Sequence, residues 1–538
     1  MHKSPLAGLA AIVMAAGLGK RMKSKQVKVL HAVAGRPMIL YALDLAARLA
    51  GAGTVVVVGH QGEQVKAVID AHGAAGARGS AKREKGLTAH VGRGAASTPS
   101  ILIAEQQQQL GTGHAVMQAR GAFLRARGAP ASTYVILNGD TPLLREGTIR
   151  ALIRLHESER ATVTILTALL DNPAGYGRVV RQGAGGPVLR IVEDRDATAI
   201  ETAIREINVG TYVVDGSFLF EALDKLAPRN AQREYYLTDI VGLAVERGMT
   251  VAAMAAPSAE ESLGINTRQQ LATAEQIIRR EICDRWMEAG VTLRDPATTW
   301  IDHDVEIGQD TVIYPNVTLE GHTKIGEDCI IHAQTRMTNS EVGRRVVVQD
   351  GCVVKDACLE EGVTIGPFAH LRPGTVLRKG AKVGNFVEIK KTELGEESKA
   401  NHLSYLGDAR IGRGVNIGAG TITCNYDGVH KHETVIEDDV FVGSDSQFVA
   451  PVKVGRGAVI AAGSTVTQDV PPDALAVSRA AQVNRPGWAA RRRVLMASEG
   501  REASDVKREV TLRKPLVPHP SRLTKGGMAK RKTRKAKG

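Results

Sequence analysis

From Trp300 onward an apolar residue returns at every sixth position, and nothing else in this 538-residue chain restricts its fold so tightly. Ile307, Ile313, Leu319, Ile325, Ile331 and Met337 form one in-phase run. Ile365, Leu371, Leu377, Val383 and Ile389 form a second, and Ile436, Val442, Phe448, Val454, Ile460 and Val466 a third. A glycine often follows, as in Ile325-Gly326, Ile365-Gly366, Val383-Gly384, Val442-Gly443 and Val454-Gly455. Hexapeptide periodicity is the mark of a parallel β-helix. Six residues make a short flat strand and a turn, and three such units close a triangular coil. The in-phase side chain points inward and stacks on its equivalents above and below. One coil cannot bury its own core, so many must stack. The phase slips over 342–359 and again over 394–422, and each slip is read as an extra loop leaving the coil.

The N-terminal half has a different grammar. Leu9 to Ala16, Thr54 to Val58 and Tyr134 to Leu137 read as buried strands, and Met38 to Leu49 has helical spacing. Strands alternating with helices predict an α/β doubly wound (Rossmann-like) parallel sheet, with ligands at the carboxyl ends of the strands. Gly17-Leu18-Gly19 and Gly139-Asp140 both lie just past such ends. The stretch Ala71–Ser100 is Gly, Ala, Ser and basic without apolar periodicity, and reads as a surface insertion. Gln269 to Met287 reads as a connecting helix. The expected layout is 1–265 (insertion about 71–100), a linker helix over 266–299, the β-helix over 300–490, and a basic, disordered tail over 491–538.

The net charge of +13 resembles a nucleic-acid signal, but ten Lys or Arg fall between Val510 and Gly538, leaving about +3 elsewhere. Such a tail reads as solvated, and nucleic-acid contact through it is not favoured. Five cysteines, Cys283, Cys329, Cys352, Cys358 and Cys424, include no C-x-x-C pair, which fits a reducing cytoplasm. No apolar run reaches the roughly 18–20 residues of a membrane span.

Two stretches carry chemistry. In the first, Met14-Ala15-Ala16-Gly17-Leu18-Gly19-Lys20-Arg21-Met22 leads to Lys28-Val29-Leu30. Glycines at a strand end let backbone N–H groups approach phosphate, and Arg21 and Lys28 add positive charge. A P-loop would need Gly in place of Met14 and Ser or Thr in place of Arg21. A dinucleotide fingerprint would need Gly in place of Met22. In the second, Arg372 and Lys390 lie one coil apart, so they stack as a two-cation phosphate clamp. His402, Tyr405, Asn416, Gly418-Ala419-Gly420-Thr421 and Cys424-Asn425-Tyr426-Asp427 follow. His402 taken singly reads as structural. His370, His402, His430 and His432 lack a zinc-site loop pattern.

The first stretch resembles the sugar-1-phosphate nucleotidyltransferases. So do Gln106 with Leu110–Ala115, Asn138-Gly139-Asp140, Gly175–Arg178, Ile191–Glu193, Glu206–Asn208 and Glu234–Asp239. With the C-terminal half, residues 9–490 resemble the bifunctional N-acetylglucosamine-1-phosphate uridyltransferase/glucosamine-1-phosphate N-acetyltransferase family, whose second domain is a left-handed parallel β-helix. The resemblance implies synthesis of UDP-N-acetylglucosamine, a precursor of peptidoglycan and lipopolysaccharide. In the N-terminal site, Met14, Ala15, Ala16, Gly17, Gln106, Gly111 and Thr112 would hold uracil and ribose. Asn138 and Gly139 line the same site, and Gly177, Glu193 and Asn208 hold the amino sugar. Asp140 and Asn266 would hold Mg²⁺, with Arg21 and Lys28 on the phosphates. In the C-terminal site, His402 is the general base and Glu388 its orienting partner. Arg372, Lys390, Tyr405 and Asn416 would bind glucosamine-1-phosphate, and Ala419, Asn425, Tyr426, Ser444, Ala462 and Arg479 acetyl-CoA. A cytoplasmic homotrimer is implied. Val27 departs from the family's usual Pro. A nucleotidyltransferase whose β-helix only oligomerises or regulates is the competing reading.

Overall fold

Strand Leu9–Ala15 is entirely apolar and almost entirely buried, as a central strand covered on both faces must be. In the computed structural model it lies between Thr133–Asn138 and Thr54–Val58, parallel to both. The structure describes residues 6, 8–17, 19–51, 53–59, 61–84, 101–127 and 131–499, with backbone alone at 20, 74–84 and 127. From one edge the strands run Val251–Ala255, Val163–Leu169, Glu206–Asp215, Thr133–Asn138, Leu9–Ala15, Thr54–Val58, Leu102–Glu105.

The sheet is mixed, which corrects the expectation of an all-parallel one. Glu206–Asp215 runs antiparallel to both neighbours. It is reached from Val163–Leu169 through an antiparallel strand pair, Arg178–Arg181 with Val188–Val192, and one short helix. A parallel return is usually made through a packed helix, and the helix in this connection, Ala199–Thr202, is only four residues long. The stretch read as an insertion is also helical in its first half, since helix Gly62–Glu84 runs through it. Residues 85–100 lie outside the described residues.

The linker is helix Arg268–Glu288, started by a capping box in which Thr267 and Gln270 satisfy each other's backbone N–H groups. Its Ala274, Ile278, Ile282 and Cys283 join a single core that begins at Val33 and Met38 and continues through the coils to Val470.

Every in-phase residue from Ile307 to Val466 is at most 7% exposed. Strands two to seven residues long pair in register along the coil axis. Both phase slips have the same cause, a shortened coil. At the first, Glu306 pairs with Lys324, 18 residues on, but Lys324 pairs with Glu341, only 17 on. At the second, Leu377 pairs with Leu394 and Tyr405 with Ile422, again 17 on. No loop leaves within either slip, contrary to expectation, because one five-residue side closes the triangle as well as six. A true loop leaves only beyond the second, over 425–433, where Ile411 pairs with Ile436, a step of 25.

The chain divides into two compact units, 1–478 and 479–538. In the second, residues 488–499 are helical, with the Arg492 guanidinium over the Trp488 ring at 5.3 Å. The disorder expected from 491 is therefore not found up to 499, and the rest of the tail lies outside the described residues.

Candidate active sites

The carboxyl ends of Leu9–Ala15 and Thr133–Asn138 lie side by side, Met14 opposite Asn138. This brings Gly139 against the Met14–Ala15 strand end, and Gly139 N–H donates to Met14 O at 2.9 Å. A side chain at Gly139 would press on that carbonyl. Gly19 has φ +58°, and a Cβ on it would lie 2.7 Å from Lys28 Cβ. The glycines therefore do more than admit phosphate: they leave a channel for the stem of Lys28. Its ammonium donates to Asp140 and, at 3.1 Å, to Asn266 Oδ1. Tyr176 sits beside Asp140 and Arg21; burial, the larger cause, and the Asp140 charge push its phenol up.

Gln106 is buried, its amide donating to Gly111 O and sharing a hydrogen bond with His114 Nδ1. Gly111 has φ +106° and abuts the Tyr235 backbone, which leaves no room for a Cβ. Thr112 Oγ1 accepts from Leu237 N–H, so the Leu110–Thr112 turn is tied to the Glu234–Asp239 segment. Gln109 was not singled out from sequence; its amide donates to Ala16 O at 2.8 Å and fixes the rim of the glycine loop.

The expected sugar residues also converge. Asn208 N–H donates to Gly177 O, and its side chain bridges Tyr212 OH and Gly210 N–H within a break in strand register. Glu193 accepts from Thr238 Oγ1 at 3.1 Å. Burial, then the charges of Asp239, Asp196 and Glu234, push its carboxyl above the usual range.

On the β-helix, His402 ends strand Lys399–His402 rather than lying in a loop, and Asn385 pairs with it. His402 Nδ1 and Asn385 Oδ1 are 2.8 Å apart. Since an amide oxygen only accepts, Nδ1 carries the proton and Nε2 is left as the basic nitrogen. The register that sets Lys399 beside Asn416 and Ala400 beside Ile417 carries His402 to Ala419 one coil on. Close backbone approaches of Gly418 to Ser444 and of Gly443 to Ala462 extend that column. Three of the expected acetyl-CoA residues therefore rise along one corner directly above His402.

Glu388 does not orient His402. Its carboxylate takes Arg372 Nη1 at 2.6 Å, because Arg372 reaches it across one coil whereas His402 points from the preceding corner. Lys390 Nζ lies 3.8 Å from Asp408 Oδ2, which also accepts from Asn425 Nδ2 at 2.5 Å. The loop 425–433 supplies Lys431, which sequence did not single out. The Lys390 ammonium beside it holds the Lys431 amine below its usual range. Asp427 braces the loop: its carboxylate accepts from His430 N–H, pairs with His432 Nε2 and accepts from Val429 N–H, and is held down at about 2. Tyr426 is exposed, with its hydroxyl on Gly428 O. Asn416 stands on the neighbouring wall, one coil from Lys399. Arg479 opens the second unit, so its acetyl-CoA role stays an expectation. All five cysteines are free.

The chain matches the nucleotidyl transferase family over residues 10–302 and the bacterial transferase hexapeptide repeats over 304–339 and 433–468. It is 51% identical to the bifunctional protein GlmU of Pelobacter propionicus, over 89% of this chain and 98% of that protein. It is 48% identical to the GlmU of Geotalea uraniireducens, over 89% and 98%, and 49% identical to that of Trichlorobacter lovleyi, over 90% and 98%. Two sites of different architecture in one polypeptide, with relatives matched from end to end, place the chain in the bifunctional GlmU family, as a two-activity transferase of UDP-N-acetylglucosamine synthesis.

Proposed function

We propose that the β-helix corner acetylates glucosamine-1-phosphate from acetyl-CoA and that the mixed-sheet site then transfers uridylate from UTP to the product, releasing pyrophosphate. The observation that carries this reading is the His402 column, in which Asn385 leaves Nε2 as the basic nitrogen at the foot of a corner of small residues. In the first step the sugar amine attacks the thioester carbonyl. A C–N bond forms and the C–S bond breaks; His402 Nε2 takes the amine proton and returns it to the departing thiolate, so that CoA leaves as the thiol. Imidazole suits this role because its ordinary pKa lies near neutrality. Arg372, Lys390 and Lys431 hold the sugar phosphate, and Tyr405 and Asn416 its hydroxyls. The corner of Ala419, Ser444 and Ala462, with Asn425 and Tyr426, admits the CoA arm.

In the second step a phosphate oxygen of N-acetylglucosamine-1-phosphate attacks the α-phosphorus of UTP. One P–O bond forms, another breaks, and no covalent enzyme intermediate is needed. Arg21 and Lys28 stabilise charge developing on the pyrophosphate. Asp140 and Asn266 fit a hard divalent cation, since their two oxygens already share one cation, the Lys28 ammonium. Mg²⁺ held there would screen the repulsion between the two phosphate groups. Glu193 and Asn208 position the amino sugar.

A homotrimer is supported by an apolar ladder at the His402 corner. Phe368 and Phe386 stack at 5.4 Å and stand 51% and 57% exposed, and Leu403 continues them at 62%. All three have positive φ, a conformation that bulky residues adopt at a cost. Exposed apolar side chains there fit burial against a second copy of the same corner. The free thiols fit a cytoplasmic enzyme, and no described helix is long and apolar enough to cross a membrane.

The test supplies each substrate set separately to the purified full-length protein. CoA thiol should appear with acetyl-CoA and glucosamine-1-phosphate, and pyrophosphate with UTP and N-acetylglucosamine-1-phosphate. Pyrophosphate alone would mean that the β-helix only oligomerises or regulates.

A further inference from the structure

The two oxygens assigned to the divalent cation are both engaged by Lys28 Nζ. The ammonium is not a loosely placed surface group: the Lys28 side chain is 11% exposed and that of Asp140 18%. Its route is built into the backbone. Gly17 would place a Cβ 4.0 Å from Lys28 Cε and Nζ, and Gly19 would place one 2.7 Å from Lys28 Cβ. The strand end, the glycine loop and the short helix Lys28–Leu30 therefore leave the stem a path along which its charge reaches Asp140 and Asn266.

An ammonium and a divalent cation cannot share these oxygens. Mg²⁺ needs their lone pairs, and two cations a few ångströms apart in a partly buried site repel strongly. A lysine on a flexible stem has a second destination close by, the triphosphate that the same glycine loop is expected to cradle. We propose that Lys28 closes the Asp140–Asn266 pair to free divalent cations, and that the nucleotide opens it by drawing the ammonium onto its phosphates. The cation then enters with the nucleotide rather than ahead of it. Lys28 is thus a positioning residue for the ion as well as a phosphate ligand. The inference rests on the reading of Asp140 and Asn266 as the cation's residues.

The experiment titrates the full-length protein with Mn²⁺, without nucleotide, reading free Mn²⁺ by electron paramagnetic resonance. Lys28→Met keeps the stem and removes the charge, and should bind Mn²⁺ about tenfold more tightly than the native protein, or ~1.4 kcal/mol. The gain should vanish in Lys28→Met/Asp140→Asn. Lys28→Gln serves as a second variant, and melting curves recorded in parallel verify that each is folded. Asp140-dependent Mn²⁺ binding of equal strength in native protein and both Lys28 variants would overturn the inference and leave the cation assignment standing. Mn²⁺ binding that ignores Asp140 in every variant, with UTP as well as without, overturns both.

Discussion

The two sites answer the same problem, holding a phosphorylated sugar, with opposite architectures. The mixed-sheet site is enclosed by its own chain: glycine loop, strand ends, the Gly111 turn and the Asn266 segment converge from across 250 residues of sequence. The β-helix site is laid along one corner by a regular register, and its neighbours in space lie one coil apart in sequence. The first gains geometry from irregular backbone and can be complete in one polypeptide. The second gains it from repetition, which yields a straight wall rather than a pocket, and in the proposed trimer the wall's exposed apolar ladder is where another subunit would close it.

The largest expected effect separates the two activities. His402→Ala should cut acetyl transfer by about 10²–10⁴-fold, the usual worth of a general base, and leave uridyl transfer intact. Asp140→Ala should do the reverse; coupled losses would show that the sites are not independent. Phe386→Asp places a charge in the ladder beside its stacked partner. Sedimentation should show monomers that keep uridyl transfer and lose acetyl transfer, whereas an active monomer would mean that the corner is complete alone. Asn385→Ala should lower the acetyl-transfer kcat about fivefold with little change in KM, the scale of one lost hydrogen bond. Lys431→Met should raise KM for glucosamine-1-phosphate a fewfold, as loss of a solvent-screened ion pair would, with kcat unchanged.

The smallest effect is in the other site. Glu193 has a folded-state pKa above its unfolded value, so its contribution to stability is fully present below the unfolded pKa and is lost as pH rises through the folded one. Glu193→Gln should therefore raise Tm slightly at pH 8 but not near pH 4, while weakening amino-sugar binding. A Tm change independent of pH would rule out burial of the charge as the cause.

The core was legible because a period of six admits one inward set, and Ile307 through Val466 all occupy it. The coil lengths were not, since a five-residue side and an inserted loop disturb the phase alike; only pairing tells the 17-residue step at Lys324 from the 25-residue step at Ile411. Asn385 was missed for that reason: it lies 17, not 18, residues before His402. Glu388 was misassigned because nearness in sequence cannot show that Arg372 reaches it first. The antiparallel strand Glu206–Asp215 was hidden by its apolar run, which carries no sign of direction. Helix Gly62–Glu84 was missed beyond residue 71 because its small residues lack an apolar stripe.

The long coil has a consequence for how such an enzyme can change. Ile411 and Ile436 pair in register although their step is seven or eight residues longer than an ordinary coil, so the 425–433 loop is accommodated without moving the stack above or below. The part of the loop after Tyr426 can lengthen or be exchanged while the scaffold keeps its dimensions. If Lys431 meets the acceptor as proposed, transplanting that part between relatives would be a route to altered acceptor choice on a frame whose stability is settled elsewhere.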